Sequence, residues 1–181
     1  MSKICVVTGS LRKGGNSDTL AQAFIQGAES AGNQVVLMEA GRAGINGCMG
    51  CMGCFAPGRD GACVQNDVMS QFYPDLRDAD AIVFCSPVYF YNYTSQIKAF
   101  MDRLFCMAAK PFAIKNAALL LTFEDKDSTV PDGLIKSFED CAAYCHWNVL
   151  GVVKANPCFE KGAIAGHPAL EEARALGASI K

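Results

Sequence analysis

Lys3-Ile4-Cys5-Val6-Val7-Thr8 runs straight into Gly9-Ser10-Leu11-Arg12-Lys13-Gly14-Gly15-Asn16-Ser17, and this junction decides the fold class. The first six residues form an apolar, β-branched run with little alternation, the pattern of a strand covered on both faces. The next nine are mostly small, polar or basic. From residue 18 to 31 the positions Leu20, Phe24, Ala28 and Ala31 lie on one face of a helix. The same unit recurs down the chain. Further strands are predicted at 34–39, 81–86, 117–121 and 148–154, and further helices at 67–76, 95–105, 131–144 and 168–180. Five β/α alternations with apolar strands predict a parallel sheet with helices on both faces, in a single domain spanning residues 1–181. The one break in the rhythm is 40–66, a long irregular stretch with several glycines and four cysteines, which reads as a functional insertion.

Composition narrows the possibilities. The 181 residues are 51% hydrophobic and 19% charged, enough for a large core and against disorder. A net charge of −2 gives no pull toward nucleic acid or an anionic membrane surface. No apolar run reaches the roughly 20 residues of a membrane span, and the N-terminus reads as a strand rather than a signal peptide, so a cytoplasmic location is expected. Of the ten cysteines, Cys5, Cys85, Cys106, Cys141, Cys145 and Cys158 are scattered and expected to be small buried hydrophobes. The other four sit within residues 48–63, and clustered thiols in a reducing compartment point to metal or redox chemistry.

In an open α/β sheet, ligands bind outside the carboxyl ends of the strands, which places the loops 9–17, 86–94 and 122–130 at the site. In the first, Ser10, Asn16 and Ser17 can donate to phosphate oxygens and Arg12 adds charge at a helix N-terminus. Asn16 or Ser17 could equally serve as a simple N-cap. Neither a Walker Gly-Lys-Ser/Thr ending nor Gly-x-Gly-x-x-Gly is present, so a single terminal phosphate suits the loop better than a dinucleotide. The second loop, Ser86-Pro87-Val88-Tyr89-Phe90-Tyr91-Asn92-Tyr93, offers aromatics for a planar ring or for packing on a neighbouring helix or subunit. Its backbone N–H groups from Val88 to Tyr91 are candidates for the polar edge of such a ring, and Asn92 tolerates left-handed geometry. Thr122, after the fourth strand, can reach the same ligand, while Glu124 and Asp125 read either as ligand contacts or as a solvated loop. His146 and His167 lie outside these loops and are read as structural.

Three matching pieces carry a resemblance. They are Gly9-Ser10-Leu11-Arg12 with Gly15-Asn16-Ser17, the run Ala79-Asp80-Ala81-Ile82-Val83 leading to Ser86-Pro87-Val88-Tyr89, and Gln96-Ile97-Lys98-Ala99-Phe100-Met101-Asp102-Arg103. Together they resemble the NADPH-dependent FMN reductase family of the flavodoxin-like superfamily, over roughly residues 3–125. The resemblance implies a flavodoxin-like three-layer sandwich with strand order 2-1-3-4-5, and FMN at the carboxyl edge held by Ser10, Arg12, Asn16, Ser17, Pro87, Val88, Tyr89, Phe90, Tyr91, Asn92 and Thr122. It also implies NAD(P)H as cosubstrate and assembly as a homodimer or homotetramer. Lys98 and Asp102, four residues apart, are expected to pair on the helix surface, and no catalytic side chain is assigned.

Gly47-Cys48-Met49-Gly50-Cys51-Met52-Gly53-Cys54, followed by Cys63, resembles the iron–sulfur flavoprotein branch of that family. The implied metal ligands are Cys48, Cys51, Cys54 and Cys63 around a [4Fe–4S] cluster, four thiolates being the cubane's ordinary donor set. Zinc and unmetallated thiols or labile disulfides remain open as alternatives. Because the insertion leaves the second strand, such a cluster is expected on the flavin's edge of the sheet, nearer a partner subunit's FMN. The functional expectation is an FMN-dependent NAD(P)H oxidoreductase passing electrons to a small-molecule acceptor. The alternatives are an electron carrier fed by ferredoxin, and a non-enzymatic redox-sensing flavin-binding protein.

Overall fold

The computed structural model describes residues 1–181. Its elements follow the apolar periodicities: β1 (Lys3–Thr8), α1 (Asn16–Ser30), β2 (Gln34–Met38), α2 (Met69–Asp78), β3 (Ala81–Pro87), α3 (Ser95–Arg103), β4 (Asn116–Thr122), α4 (Asp132–Tyr144), β5 (Asn148–Ala155) and α5 (Ala169–Ser179). All five strands are parallel in the order β2-β1-β3-β4-β5, the order the resemblance implies. The three inner strands are buried on both faces, as a sheet covered by crossover helices must be. The edges β2 and β5 are not, and Leu37, Val149 and Leu150 stay exposed. No helix is long and apolar enough to cross a membrane.

Residues of alternate parity along each strand feed two cores. One holds Ile4, Val6, Val83, Leu120 and Phe24 beneath α1 and α5. The other holds Val7, Phe84, Leu119, Ile97, Phe100 and Phe138 beneath α2, α3 and α4. On the first face α1 and α5 touch backbone to backbone: a Cβ on Gly177 would lie 2.2 Å from the Phe24 carbonyl oxygen, and one on Gly27 would lie 1.9 Å from that of Arg174. Only glycine fits there.

The insertion departs from its expected place. After Asn46 the chain packs along α3 toward the amino edge of the sheet. The Arg77 guanidinium, in the last turn of α2, donates to the Asp60 carbonyl at 3.2 Å, Lys110 pairs with the Asp60 carboxylate at 3.2 Å, and Gly61 abuts the Cys106 carbonyl. Helices α2 and α3 run antiparallel to the strands, so their last residues lie where the strands begin. The cysteine loop is therefore not on the flavin's edge. Its two ends are gathered by Arg103, which donates to the Asn46 carbonyl (2.9 Å) and to both oxygens of Asp67 (2.6 and 3.1 Å).

Candidate functional site

The carboxyl edge carries a cleft of about 520 Å³, within the ordinary range for small-ligand sites. Its walls are Ser10, Arg12, Gly15, Asn16 and Ser17 from the first loop, Pro87 to Tyr91 from the second, and Thr122 to Asp125 from the third. Ten of the eleven residues assigned to the cofactor from sequence line it. Asn92 does not: its side chain turns back to accept from the Tyr93 N–H at 2.8 Å. A fourth wall, Cys158 and Phe159 from the β5–α5 loop, was not assigned, and no local motif marks it.

The first loop is braced from several directions. Gly9 passes so close to α3 that a Cβ would lie 2.3 Å from Ile97, and its carbonyl accepts from the Thr94 hydroxyl, the N-cap of α3. Arg42 donates to the Ser10 carbonyl (2.8 Å) and to Asp18 (3.2 Å), and Asp18 accepts from the Gly14 N–H (2.8 Å). Gly15 is the N-cap of α1 and supplies no side-chain bond. The N–H groups of the first turn therefore face the cleft at the positive end of the helix dipole. Arg12 is exposed at the rim, reaching the Phe159 carbonyl at 3.4 Å.

Asn16 does not have the free donor expected of it. Its amide nitrogen donates to the carbonyls of Cys158 (3.3 Å) and Glu160 (2.8 Å), and its oxygen accepts from the N–H groups of Gly162 (3.0 Å) and Ile164 (3.4 Å). It ties the fourth wall to the first loop. Ser17 and Thr122 share a buried hydroxyl–hydroxyl bond of 2.7 Å, which joins the first loop to the end of β4.

The second loop is a two-residue turn. Tyr89 and Asn92 exchange both backbone hydrogen bonds (2.9 and 3.0 Å), with Phe90 and Tyr91 between them at φ +47° and +61°. Two positive φ values mark a type I′ turn, where Asn and Gly are the usual residues. The left-handed backbone thus falls on two aromatics and not on Asn92. Holding them there costs roughly 1–2 kcal/mol per residue. Phe90 is fully exposed and Tyr91 largely so. Because the Val88 N–H is committed to the Thr122 carbonyl (2.9 Å) and the Tyr89 N–H to the turn, the N–H groups left for a ligand's polar edge are those of Phe90 and Tyr91.

These features fit FMN: an uncapped helix N-terminus with Arg12 for the phosphate, and exposed aromatics at a strained turn for the planar ring. The cysteine loop does not fit a cluster as it stands. No group of three or more Cys, His, Asp or Glu side chains is close enough together to hold a metal ion. Cys48 and Cys51 are exposed, while Cys54 and Cys63 are half-buried against the α2–α3 core. Burial, and then the neighbouring thiols, push the Cys54 thiol up. Elsewhere, Lys98 pairs with Asp102 at 2.5 Å as expected. His167 is structural, with Nδ1 accepting from the Ala169 N–H at the start of α5. Cys141 and Cys145, expected to be buried, are partly exposed.

A family profile described as NADPH-dependent FMN reductase matches residues 2–130. An iron-sulfur flavoprotein of Methanosarcina thermophila is 31% identical over 172 residues, covering 94% of this chain and 85% of that protein. An iron-sulfur flavoprotein of Archaeoglobus fulgidus is 35% identical over 105 residues, 58% of this chain, and the match spans 46% of that relative's length. Among solved structures, an NAD(P)H:quinone oxidoreductase from Methanothermobacter marburgensis aligns with a TM-score of 0.73 at 16% identity, over 98% of this chain and 94% of that one, which is a likeness of fold.

Proposed function

This chain belongs to the NADPH-dependent FMN reductase family, and from that premise we propose that it is an NAD(P)H-dependent oxidoreductase working through non-covalent FMN in the carboxyl-edge cleft. The observation that carries this reading is one cleft joining an uncapped α1 N-terminus to an aromatic turn held in left-handed backbone geometry. When bound, FMN would supply the hydride-accepting and electron-donating redox chemistry of an NAD(P)H-dependent reaction. The residues bind and orient. The first-turn N–H groups, Ser10 and Arg12 hold the phosphate. Thr122 and Ser17 close the floor, and the N–H groups of Phe90 and Tyr91 meet the polar edge of the ring. The exposed rings of Tyr89, Phe90 and Tyr91 form an open wall on which a planar acceptor, a quinone or a second flavin, can stack. No side chain is needed as general acid or base.

A second reading, a carrier fed by ferredoxin, is favoured by the Cys48-x2-Cys51-x2-Cys54 spacing and by the names of the two flavoprotein relatives. It requires the loop to draw its sulfurs together from the arrangement described above. The loop packs toward the amino edge of the sheet, away from the cleft at the carboxyl edge.

An anaerobic absorption spectrum before and after NADPH tests both readings. Flavin bands bleached by NADPH support the reductase. Flavin bands with a broad iron–sulfur shoulder that NADPH leaves unbleached, but reduced ferredoxin bleaches, favour the carrier. Absence of flavin after reconstitution with FMN refutes both.

A further inference from the structure

The six cysteines outside the insertion fall into two groups. Cys5, Cys85, Cys106 and Cys158 are buried. Burial pushes the Cys5 thiol up to about 12 and the Cys106 thiol up to about 11, and it raises Cys85 and Cys158 as well, so all four are unreactive. Cys141 and Cys145 differ in every respect. They stand one turn apart at the end of α4, Cys145 being its C-cap, and both are partly exposed. Both line a second cavity, of about 730 Å³, between α3, α4 and the segment that follows α3. Its wall is otherwise mainly apolar, with Phe84, Met101, Leu104 and Trp147. It shares no residue with the flavin cleft.

Three further observations bear on these thiols. The neighbouring Cys145 thiol pulls the Cys141 thiol down, outweighing its burial; Lys98 lowers it further and Asp102 opposes. The two thiols act on each other in opposite directions, Cys145 being pushed up, so the pair loses its first proton more readily than its second. The hydroxyl of Tyr93, a residue close enough to Cys141 to be affected by its charge, is buried with no hydrogen-bond partner. Residues four apart on a helix have Cα atoms about 6 Å apart, within the Cα range of a disulfide, but Cβ atoms about 5–6 Å apart against the roughly 3.5–4.5 Å a disulfide needs, so closure requires the last turn of α4 to open. The end of α4 is also where the backbone can adjust. His146 leaves it at φ +58°, and the last turn is closed by the Cys145 N–H to the Cys141 carbonyl at 3.0 Å.

We propose that Cys141 and Cys145 form a peroxide-reactive dithiol, a second redox site in which a hydroperoxide entering the apolar cavity drives closure of a reversible disulfide. The Cys141 thiolate attacks one peroxide oxygen: an S–O bond forms, the O–O bond breaks, and the departing oxygen takes a proton to leave as water or an alcohol. The Cys145 sulfur then attacks the sulfenic sulfur: the S–S bond forms, the S–O bond breaks, and hydroxide leaves as water with the Cys145 proton. Two thiols and one peroxide give one disulfide and two molecules of water (or water and alcohol). The peroxide gains the two electrons that the sulfurs lose.

Both cysteines fall on one tryptic peptide, residues 137–154, together with Trp147, the chain's single tryptophan. The full-length protein is treated with hydrogen peroxide, its remaining thiols are blocked with N-ethylmaleimide, and the digest is mapped by mass spectrometry. The expected result is this peptide two hydrogens lighter and unalkylated, restored by dithiothreitol, with a change in Trp147 emission that tracks the loss. Cys145→Ser should stop at a dimedone-trappable sulfenic acid on Cys141, and Cys141→Ser should leave Cys145 alkylatable. Three results would overturn the proposal: both thiols still alkylated after peroxide, oxidation confined to the cysteines of residues 48–63, or a cross-link from Cys141 to Cys48, which lines the same cavity.

Discussion

Replacing Asp67 by Asn removes one charge from the most enclosed ion pair in the protein. The Arg103 side chain is 0% exposed and that of Asp67 8%, so solvent screens the pair little. Asp67 also accepts from the N–H groups of Asn46 and Met69, both at 3.1 Å, so one carboxylate closes the neck of the insertion and starts α2. Asn keeps the shape but leaves a guanidinium buried without its counter-charge, a loss of about 3–5 kcal/mol in comparable pairs. At roughly 2–4 °C per kcal/mol for a domain of this size, the melting temperature should fall by about 6–20 °C. Differential scanning calorimetry at neutral pH reads this. Limited proteolysis within residues 47–66 reads the loosening of the loop. Pairing Asp67→Asn with Arg103→Met should recover much of the loss, because the stranded charge is then gone. The acid limb gives an independent check. Burial raises the Asp67 carboxyl, but the Arg103 hydrogen bond and the Asn46 N–H outweigh it, and the net direction is down. A carboxyl lower in the folded than in the unfolded chain stabilises fully above its unfolded value near 4, and that stability drains away as pH falls through the folded value. Asp67→Asn should therefore flatten the dependence of stability on pH below about 4. A loss under about 1 kcal/mol, the range of exposed pairs, or an unchanged acid limb, refutes the view that this pair clamps the insertion.

Phe90→Gly should stabilise the FMN-free protein by about 1 kcal/mol by relieving left-handed strain while weakening FMN binding. Thermal melts set against a fluorescence titration with FMN check this, and a variant that loses in both assays contradicts it. Asn16→Ala leaves the Glu160 carbonyl and the Gly162 N–H without their partner, so it should cost about 1–3 kcal/mol in urea unfolding and weaken FMN binding through the displaced fourth wall. Gly177→Ala forces a methyl against the backbone of α1 and should destabilise by about 1–3 kcal/mol. Circular-dichroism melts should show this with FMN affinity per folded molecule unchanged, since the contact lies on the helical face and lines no part of the cleft.

The sequence by itself determined what depends on short-range periodicity. Ile4 to Val7, Ile82 to Cys85 and Ala117 to Leu121 are short, uninterrupted apolar runs alternating with helix-period segments, the pattern of strands in a covered sheet. Leu20, Phe24 and Ala28 mark a helix face whatever the helix packs against. Parallel strands joined through helices put the loops after β1, β3 and β4 at one edge, so most of the cleft could be read from residue order and turn chemistry. Only the tertiary structure decided which of those groups are free to act. Asn16 carries the same amide wherever it stands, yet it is committed to backbone about 145 residues away, in a loop with no motif of its own. Val88 gives its N–H to the sheet, and Phe90 and Tyr91, not Asn92, take the left-handed turn, because pairing of Tyr89 with Asn92 sets the register. The insertion was legible as an insertion, but its place was not: Arg103 and Asp67 meet across 36 residues. A hydrogen-bonding group's availability is set by its partners, and partners distant in the chain leave no local pattern to read.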